Sequence, residues 1–338
     1  LRRAATDGHA QAQALRILEE TIMRIGLISA ATYGPSYLDG AATRTPGSFH
    51  GTAFAGVCNG CDEEKATKWQ WTFVPNKKVL DAQVVKIWDP HREWAERLAE
   101  VCFIPKVADT PEDCADDVDA VVIVDDGSGK QWKYAMHPLK KGIPTFCDKP
   151  LAMTARLAQD VAKVVRATRT PFMSASSLRF VPDILALKKR VAAGEFGEIS
   201  MVTAICGNEL VYYGIHALAM YYGVFGGGAV SCVNVGRPGR NIVRVRFKNG
   251  CDLTLMVAES DHMRSGYQIN IYGKKDWITL TPDLNNLYTY LLDQFLVMVR
   301  TGKEPVPVEE EVEVIAVLDA GRRSLQEARE VTVAEVMA

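Results

Sequence analysis

The 338 residues predict an α/β chain in two parts, a parallel sheet first and a mostly antiparallel sheet with helices on one face second. Three observations carry this reading. The length exceeds one ordinary domain of roughly 100–200 residues. Apolar runs of strand length alternate with helix-periodic segments between Ile22 and Lys149, which is the pattern of βαβ units. From about Glu198 the texture shifts to apolar and polar residues in alternation, the period of a half-buried strand. The division falls at Pro150, giving parts 1–150 and 151–338.

Taken in order, "RIGLISA" (24–30) is a short apolar strand ending in small residues, and "AQVVKIWD" (82–89) is the next, closing on an Asp. About fifty residues separate them, far more than a plain βαβ link needs. The segment at about 36–78 is therefore a long insert, either an embellishment at the strand ends, where open α/β sheets bind ligands, or a surface insertion. "HREWAERLAEVC" (91–102) has helical spacing, "DAVVIVDD" (119–126) is a third strand, a helix follows over about 130–141 to Gly142, and "PTFCDK" (144–149) is a fourth strand. A helix over about 154–168, a short strand in "TPFMSASS" (170–177) and a helix from about Asp183 to Gly194 follow. Then come the alternating runs "EISMVTAIC", "NIVRVRFKNGCDLTLMV" and "YQINIYG", with Asn249-Gly250 placed as in a type I′ hairpin. The tail "PVEEEVEVIAVLDAGRRSLQEA" is an amphipathic helix whose role is packing, with the first domain as one partner.

Composition narrows the function. Lys plus Arg number 39 against 41 Asp plus Glu, so nothing predicts a nucleic-acid or membrane-surface partner. Apolar stretches end short of the ~20 residues that cross a bilayer, and the N-terminus lacks an apolar core with a cleavage site. The expected location is cytoplasmic and the expected partner a small molecule. The eight cysteines are scattered and read as buried reduced thiols. Cys58-x-x-Cys61 has no second pair at metal-ligand spacing and brackets an Asn-Gly turn, so no metal is expected.

Four features carry chemistry. "SAATYG" (29–34) occupies the place of the dinucleotide fingerprint G-x-G-x-x-G with Ser29 and Ala31 at the first two glycine positions, which marks Ser29, Ala30, Ala31, Thr32 and Tyr33 as a cofactor turn. An ordinary strand-to-loop turn is the competing reading. Asp89 stands where an acid accepts from a ribose 2′-hydroxyl and repels a 2′-phosphate, favouring NAD, while nearby Arg92 leaves NADP open. Asp89-Pro90 equally reads as a helix start, and both roles can hold. In "FCDKPLAM" (146–153) a lysine at the carboxyl end of a parallel strand points toward the ligand crevice, and the adjacent Asp148 favours its charged form; a solvated loop pair is the alternative. The Lys149–Pro150 bond is expected trans on frequency, with cis open. His216, following Gly214 at the start of a helix, is a base or a buried core histidine.

Together the strand and turn, "FCDKPLAMT", "LRFVPDI" and "YGIHALAMYYGVFG" resemble the glucose–fructose oxidoreductase, inositol 2-dehydrogenase and rhizopine catabolism (Gfo/Idh/MocA) family from about Arg24 to Arg329. The resemblance implies a Rossmann domain followed by an α+β domain on a large open, mostly antiparallel sheet. It implies NAD(P)-dependent oxidation or reduction of a sugar, cyclitol or derivative, in a homodimer or homotetramer assembled through that sheet. Val243, Val245, Leu253 and Leu255 are the outer positions expected there. Asp148-Lys149-Pro150 matches the family's E-K-P, and its lysine contacts substrate near the nicotinamide. His216 matches the general base of D-x-G-x-H-x-x-D, whose two Asp positions hold Tyr212 and Ala219 here. Asp125, Asp126, Gln131 and Asp148 fall at cofactor positions, although Asp126-Gly127 and Gln131 replace the usual Thr-Pro and His. Arg179, Asn208, Glu209, Tyr212, Tyr213 and His50 are the substrate-side candidates, with Glu209 the nearest carboxylate to partner His216 and His50 able to close over the pocket. A non-catalytic sugar- or dinucleotide-binding sensor, and a lyase or glycosidase that uses transient oxidation by a tightly bound cofactor, are the alternatives.

Overall fold

The computed structural model of this protein describes residues 22–29, 31–33, 44–46, 49–69, 78–79, 81–124 and 129–338. The first strand, β1 (Met23–Ile28), is followed by a small antiparallel pair, β2 (Ala31–Tyr33) and β3 (Arg44–Pro46), and by helices α1 (Phe49–Asn59) and α2 (Glu63–Lys68). Then come β4 (Ala82–Trp88), α3 (Arg92–Val101), β5 (Lys106–Val107), β6 (Ala120–Ile123), α4 (Gln131–Lys140), β7 (Thr145–Cys147), α5 (Ala155–Thr168) and β8 (Phe172–Met173). The strands form one sheet in the order β5-β4-β1-β6-β7-β8, with every pairing parallel. This is the 3-2-1-4-5-6 order of a dinucleotide-binding sheet, whose order reverses beside β1.

Because helices cover both faces, the central strands are apolar throughout rather than alternating. Alternate residues of β6 enter different cores: Val121 and Ile123 join one, Ala120 and Val122 the other, all at most 1% exposed. Burial of each of the three larger side chains, Val121, Val122 and Ile123, contributes about 1.5–3 kcal/mol. Gly26 of β1 is required by close approach, since a Cβ there would sit 1.9 Å from the Cys114 carbonyl oxygen.

The second sheet has the order β14-β13-β9-β12-β11-β10-β15. Its strands are β9 (Ile199–Gly207), β10 (Ala229–Asn234), β11 (Arg240–Phe247), β12 (Asp252–Ala258), β13 (Gln268–Gly273), β14 (Trp277–Leu280) and β15 (Val331–Thr332). Only β9 and β12 pair in parallel; the other pairs are antiparallel. Helices α6 (Pro182–Ala192), α7 (Gly214–Phe225), α8 (Leu287–Thr301), α9 (Val308–Glu327) and α10 (Val333–Met337) complete the chain. α9 packs on β10 and on α5, tied by Arg166 to Glu309 at 2.9 Å and by the Ala155 N–H to Asp319 at 3.1 Å. α8 instead returns to the parallel sheet, where Leu291 and Phe295 join the core of Phe54 and Phe146. One core runs continuously from the parallel sheet into the second sheet, so the two halves are held against each other.

Several local expectations are corrected. The parallel sheet continues past Pro150 to Met173. The helix after Asp89 starts at Arg92 with His91 as N-cap, because Asp89 turns its Oδ1 to the His91 N–H at 2.8 Å instead of capping. The Lys149–Pro150 bond is cis. At the Asn249-Gly250 hairpin only Gly250 takes a positive φ, 83°, and its N–H bonds the Phe247 carbonyl at 3.1 Å. That is a type I turn followed by a left-handed glycine, since type I′ would need both residues there. Val243, Val245, Leu253 and Leu255, expected on the outer face, lie in the core at no more than 1% exposure. The faces are exchanged relative to that expectation, as a one-residue change of phase does. Met201, Val230, Ile242, Tyr272 and Trp277 are the exposed large apolar residues of the second sheet's strands.

Candidate active site

β7 is buried along its length, and the chain leaves it at the carboxyl edge of the sheet through Asp148 and Lys149. The Asp148 N–H extends the ladder to the Ile123 carbonyl at 2.7 Å. Both side chains are buried, Asp148 at 1% and Lys149 at 5% exposure. Their roles diverge. Asp148 Oδ2 binds Nδ1 of His50, near the N-terminus of α1. Lys149 Nζ donates to the Tyr212 carbonyl oxygen at 3.1 Å and lies 5.6 Å from the Tyr213 ring centroid. The lysine thus spans from the parallel sheet to the segment that opens α7.

His216 sits on the first turn of α7, with its N–H on the Tyr213 carbonyl at 2.9 Å. Its Nδ1 pairs with the Ser176 hydroxyl at 2.7 Å. Ser176 comes from the segment after β8, where it caps a short 3-10 turn by accepting from the Leu178 N–H at 3.3 Å. Burial holds the His216 imidazolium well below its ordinary pKa, and the charges of Lys149 and His50 lower it further, so the ring is neutral at physiological pH.

Lys149, His216 and His50 meet at one cavity of about 560 Å³, walled by Tyr213, Tyr267 and Tyr288. Tyr267 stands edge-on to His216 at 5.4 Å and Tyr288 to His50 at 5.3 Å, between ring centroids. Such a space suits a molecule with both apolar faces and hydroxyl groups.

The remaining candidates divide. Tyr212 is 2% exposed and serves Lys149 through its backbone, while its hydroxyl lies 3.2 Å from where a Cβ on Gly129 would stand. Glu209 does not partner His216 through the atoms described: its Oε2 accepts from the N–H groups of Val211 and Tyr212 at 2.7 and 2.8 Å. Exposed Asn208 lines a separate surface groove with Tyr213, Met263 and Arg264. Arg179 binds Glu310 and faces a small inner cavity rather than the large one. Ser176, Tyr267, Tyr288 and Asn285, the last also lining the large cavity, escaped the sequence reading. Only "DLNN" before an apolar helix offered a signal, as a polar turn that starts α8.

On the cofactor side, Ser29 has φ 81°. It keeps the left-handed conformation for which the fingerprint uses glycine, at a cost of roughly 1–2 kcal/mol. Its hydroxyl reaches Asp89 Oδ2 at 3.2 Å, and Asp89 is 3% exposed at the end of β4. Gln131 opens α4 fully buried, with neither amide atom hydrogen-bonded among the described residues. A residue of left-handed φ at the end of β1, a buried acid at the end of β4 and a buried amide without a described partner fit a nucleotide's hydroxyl and amide groups. Ala30, Asp125 and Asp126 lie outside the described residues, as do the side chains of Ala31, Thr32 and Tyr33.

A family model described as "Oxidoreductase family, NAD-binding Rossmann fold" (Gfo/Idh/MocA) matches residues 53–175. Over that stretch the chain is similar to the Gfo/Idh/MocA family. Inositol 2-dehydrogenase of Rhizobium meliloti is 32% identical over 128 residues, 36% of this chain and 37% of that protein. Trans-1,2-dihydrobenzene-1,2-diol dehydrogenase of Bos taurus is 29% identical over 131 residues, 38% of this chain and 39% of that one. The matched stretches thus span well under half of these curated relatives. Solved structures match over residues 53–175 and beyond them. Myo-inositol dehydrogenase from Lactobacillus casei, in complex with NAD(H) and myo-inositol, aligns at TM-score 0.74 and 15% identity over 92% of this chain and 96% of its own. An NAD binding oxidoreductase from Klebsiella pneumoniae aligns at 0.71 and 17% over 93% and 99%. These likenesses extend the shared fold to the second sheet. No helix among the described residues is long and apolar enough to cross a membrane.

Proposed function

We propose that this protein is an NAD(P)-dependent dehydrogenase that moves a hydride between a nicotinamide cofactor and a CH–OH carbon of a sugar, cyclitol or derivative. The observation that carries the reading is the meeting of Lys149, from the parallel sheet, and His216, from α7, at one tyrosine-walled cavity. Asp89, Ser29 and Gln131 would hold the dinucleotide, and Asp89 favours NAD. A bound nicotinamide supplies the hydride acceptor or donor.

The chain's own groups do the rest. With Nδ1 occupied by Ser176, His216 has Nε2 left to take the proton of the substrate hydroxyl or return it. Lys149 donates to the same oxygen and stabilises the negative charge that develops there, most effectively because the site is buried. Asp148 keeps the ring of His50 in place at the cavity wall, where it would hydrogen-bond a further substrate hydroxyl. The tyrosine rings cover the apolar faces of the substrate and exclude water.

Calorimetric titration with NAD+ and NADP+, followed by turnover with a panel of sugars and cyclitols, tests the reading. Binding of one dinucleotide and turnover abolished by both Lys149→Ala and His216→Ala are expected; undiminished NADH-linked turnover in both variants would overturn the roles. Binding of neither dinucleotide would favour a non-catalytic sensor, and product formation without added cofactor a lyase or glycosidase with a retained one. We also assign the exposed apolar residues Met201, Ile242, Tyr272 and Trp277 to a homodimer or homotetramer contact, which a monomer in solution scattering would refute.

A further inference from the structure

A second, much smaller cavity adjoins the same residues. Its volume is about 20 Å³, and Lys149, Ser174, Ser176, Arg179, Ile215 and Glu311 line it. That is room for about one water, which requires two to four polar partners. Ser176, 3% exposed, is the group whose hydroxyl meets Nδ1 of His216. Glu311, 4% exposed, lies in the first turn of α9. Its Oε1 accepts from the Ser174 N–H at 2.7 Å, while Oε2 has no hydrogen-bond partner among the described residues. A buried carboxyl oxygen without a partner costs roughly 1–3 kcal/mol, and the chemistry so far uses neither the oxygen nor the cavity.

We propose that this cavity holds one water joining Ser176 to Glu311, which completes a line from His216 Nδ1 through Ser176 Oγ and the water to Glu311 Oε2. Glu311 is then a positioning residue that sets which nitrogen of His216 carries the proton. With Glu311 protonated, its O–H donates to the water, the water to Ser176 and Ser176 to Nδ1, so Nε2 bears the proton and His216 is an acid. With Glu311 ionised every bond reverses. Nδ1–H then donates to Ser176, Ser176 to the water and the water to the carboxylate, and Nε2 presents its lone pair as a base.

The catalytic consequence rests on the hydride-transfer reading. In carbonyl reduction, the O–H bond at the substrate oxygen forms as Nε2–H breaks, and Nδ1–H forms as the Ser176 O–H breaks. The Ser176 O–H re-forms from the water, and the water from Glu311, which ends as carboxylate. The electron pair of the new C–H bond is the cofactor's hydride. Alcohol oxidation runs the line backward. Burial raises the Glu311 carboxyl well above its usual range; the Ser174 N–H and Arg179 oppose this, and Glu304 and Glu310 add to it. The charges facing His216 are Lys149 and His50.

The test reads the nitrogen-15 resonances of His216 in protein without substrate or cofactor, across pH. Exchange between the two tautomers is expected in the wild type. A single pH-independent tautomer is expected in Glu311→Gln, which keeps the shape but cannot ionise, and in Ser176→Ala, which breaks the line at a different point. Ser176→Thr retains the hydroxyl and should restore exchange. The same tautomer balance in wild type, Glu311→Gln and Ser176→Ala would overturn the proposal. If Glu311→Gln fails to fold, Ser176→Ala against Ser176→Thr decides. In turnover, kcat should fall by about tenfold in Glu311→Gln with dinucleotide Kd unchanged, less than the roughly hundredfold or more at stake in the acid–base step itself. Absence of turnover in wild type and variants alike would refute the dehydrogenase reading and leave the resonance result standing.

Discussion

Replacing Lys149 by methionine keeps an unbranched apolar stem and removes the charge and donor at its end. Two separate effects follow. Lys149 is 5% exposed and its ammonium is anchored on the Tyr212 carbonyl at 3.1 Å, so it is preorganised for the charge that develops on the substrate oxygen. Loss of one such donor in a buried site costs about 2.7–4 kcal/mol of transition-state stabilisation, a fall in kcat of roughly 10²–10³. The second effect is on His216. Its pKa is lowered first by burial and then by Lys149 and His50, so removing Lys149 raises it part of the way toward the ordinary value while burial still holds it below. The acid limb of the pH–rate profile should therefore move to higher pH in Lys149→Met. Steady-state kinetics of the oxidation direction across pH, with the His216 ring protons followed by NMR, measures both. A kcat within about tenfold of wild type, or a His216 titration that does not rise, would refute the shared-site reasoning.

Three further outcomes are expected. Asp89→Ala should weaken NAD+ by about tenfold, the loss of one charge-assisted hydrogen bond, and narrow the preference over NADP+; an unchanged ratio by calorimetry would remove Asp89 from ribose recognition. Gly26→Ala should destabilise by about 1–3 kcal/mol or more, because the new methyl would stand 1.9 Å from the Cys114 carbonyl oxygen, which is backbone; a denaturation midpoint equal to wild type would refute it. Glu311 binds its proton more tightly folded than unfolded, so its contribution to stability is full below the ordinary carboxyl pKa of about 4.3 and is lost as pH rises toward the raised value. Wild type should therefore lose melting temperature relative to Glu311→Gln on going from acid to neutral pH, and parallel melting curves would count against the burial argument.

Much of the fold was legible because it rests on local periodicity. Apolar runs without alternation marked β1, β4, β6 and β7, helical spacing marked α3 and α5, and alternation marked β9, β11 and β12, since side-chain spacing along a chain is fixed by backbone geometry. Phase was less secure. Val243 and Leu253 alternate as expected but face inward, because period two is the same whichever face is buried, and only α7 and α9 packed against the sheet decide it. The two-residue strand β5 carries too little pattern to be seen and exists through its neighbour's hydrogen bonds, whereas β8 falls inside the short strand expected over 170–177.

At the site, the sequence by itself determined the two groups with a chemical reason to stand at element ends: Lys149 after a buried strand and His216 at a helix start. It also marked Asp89 and the Ser29 turn. What only the tertiary structure decided is who partners whom. Asp148 serves His50, Ser176 rather than Glu209 serves His216, a backbone carbonyl serves Lys149, and Glu311, about a hundred residues further on, shares a cavity with Ser176. Hydrogen bonds depend on distances of about 3 Å between residues that the chain separates widely, and those distances are set by how the two sheets and their shared core pack.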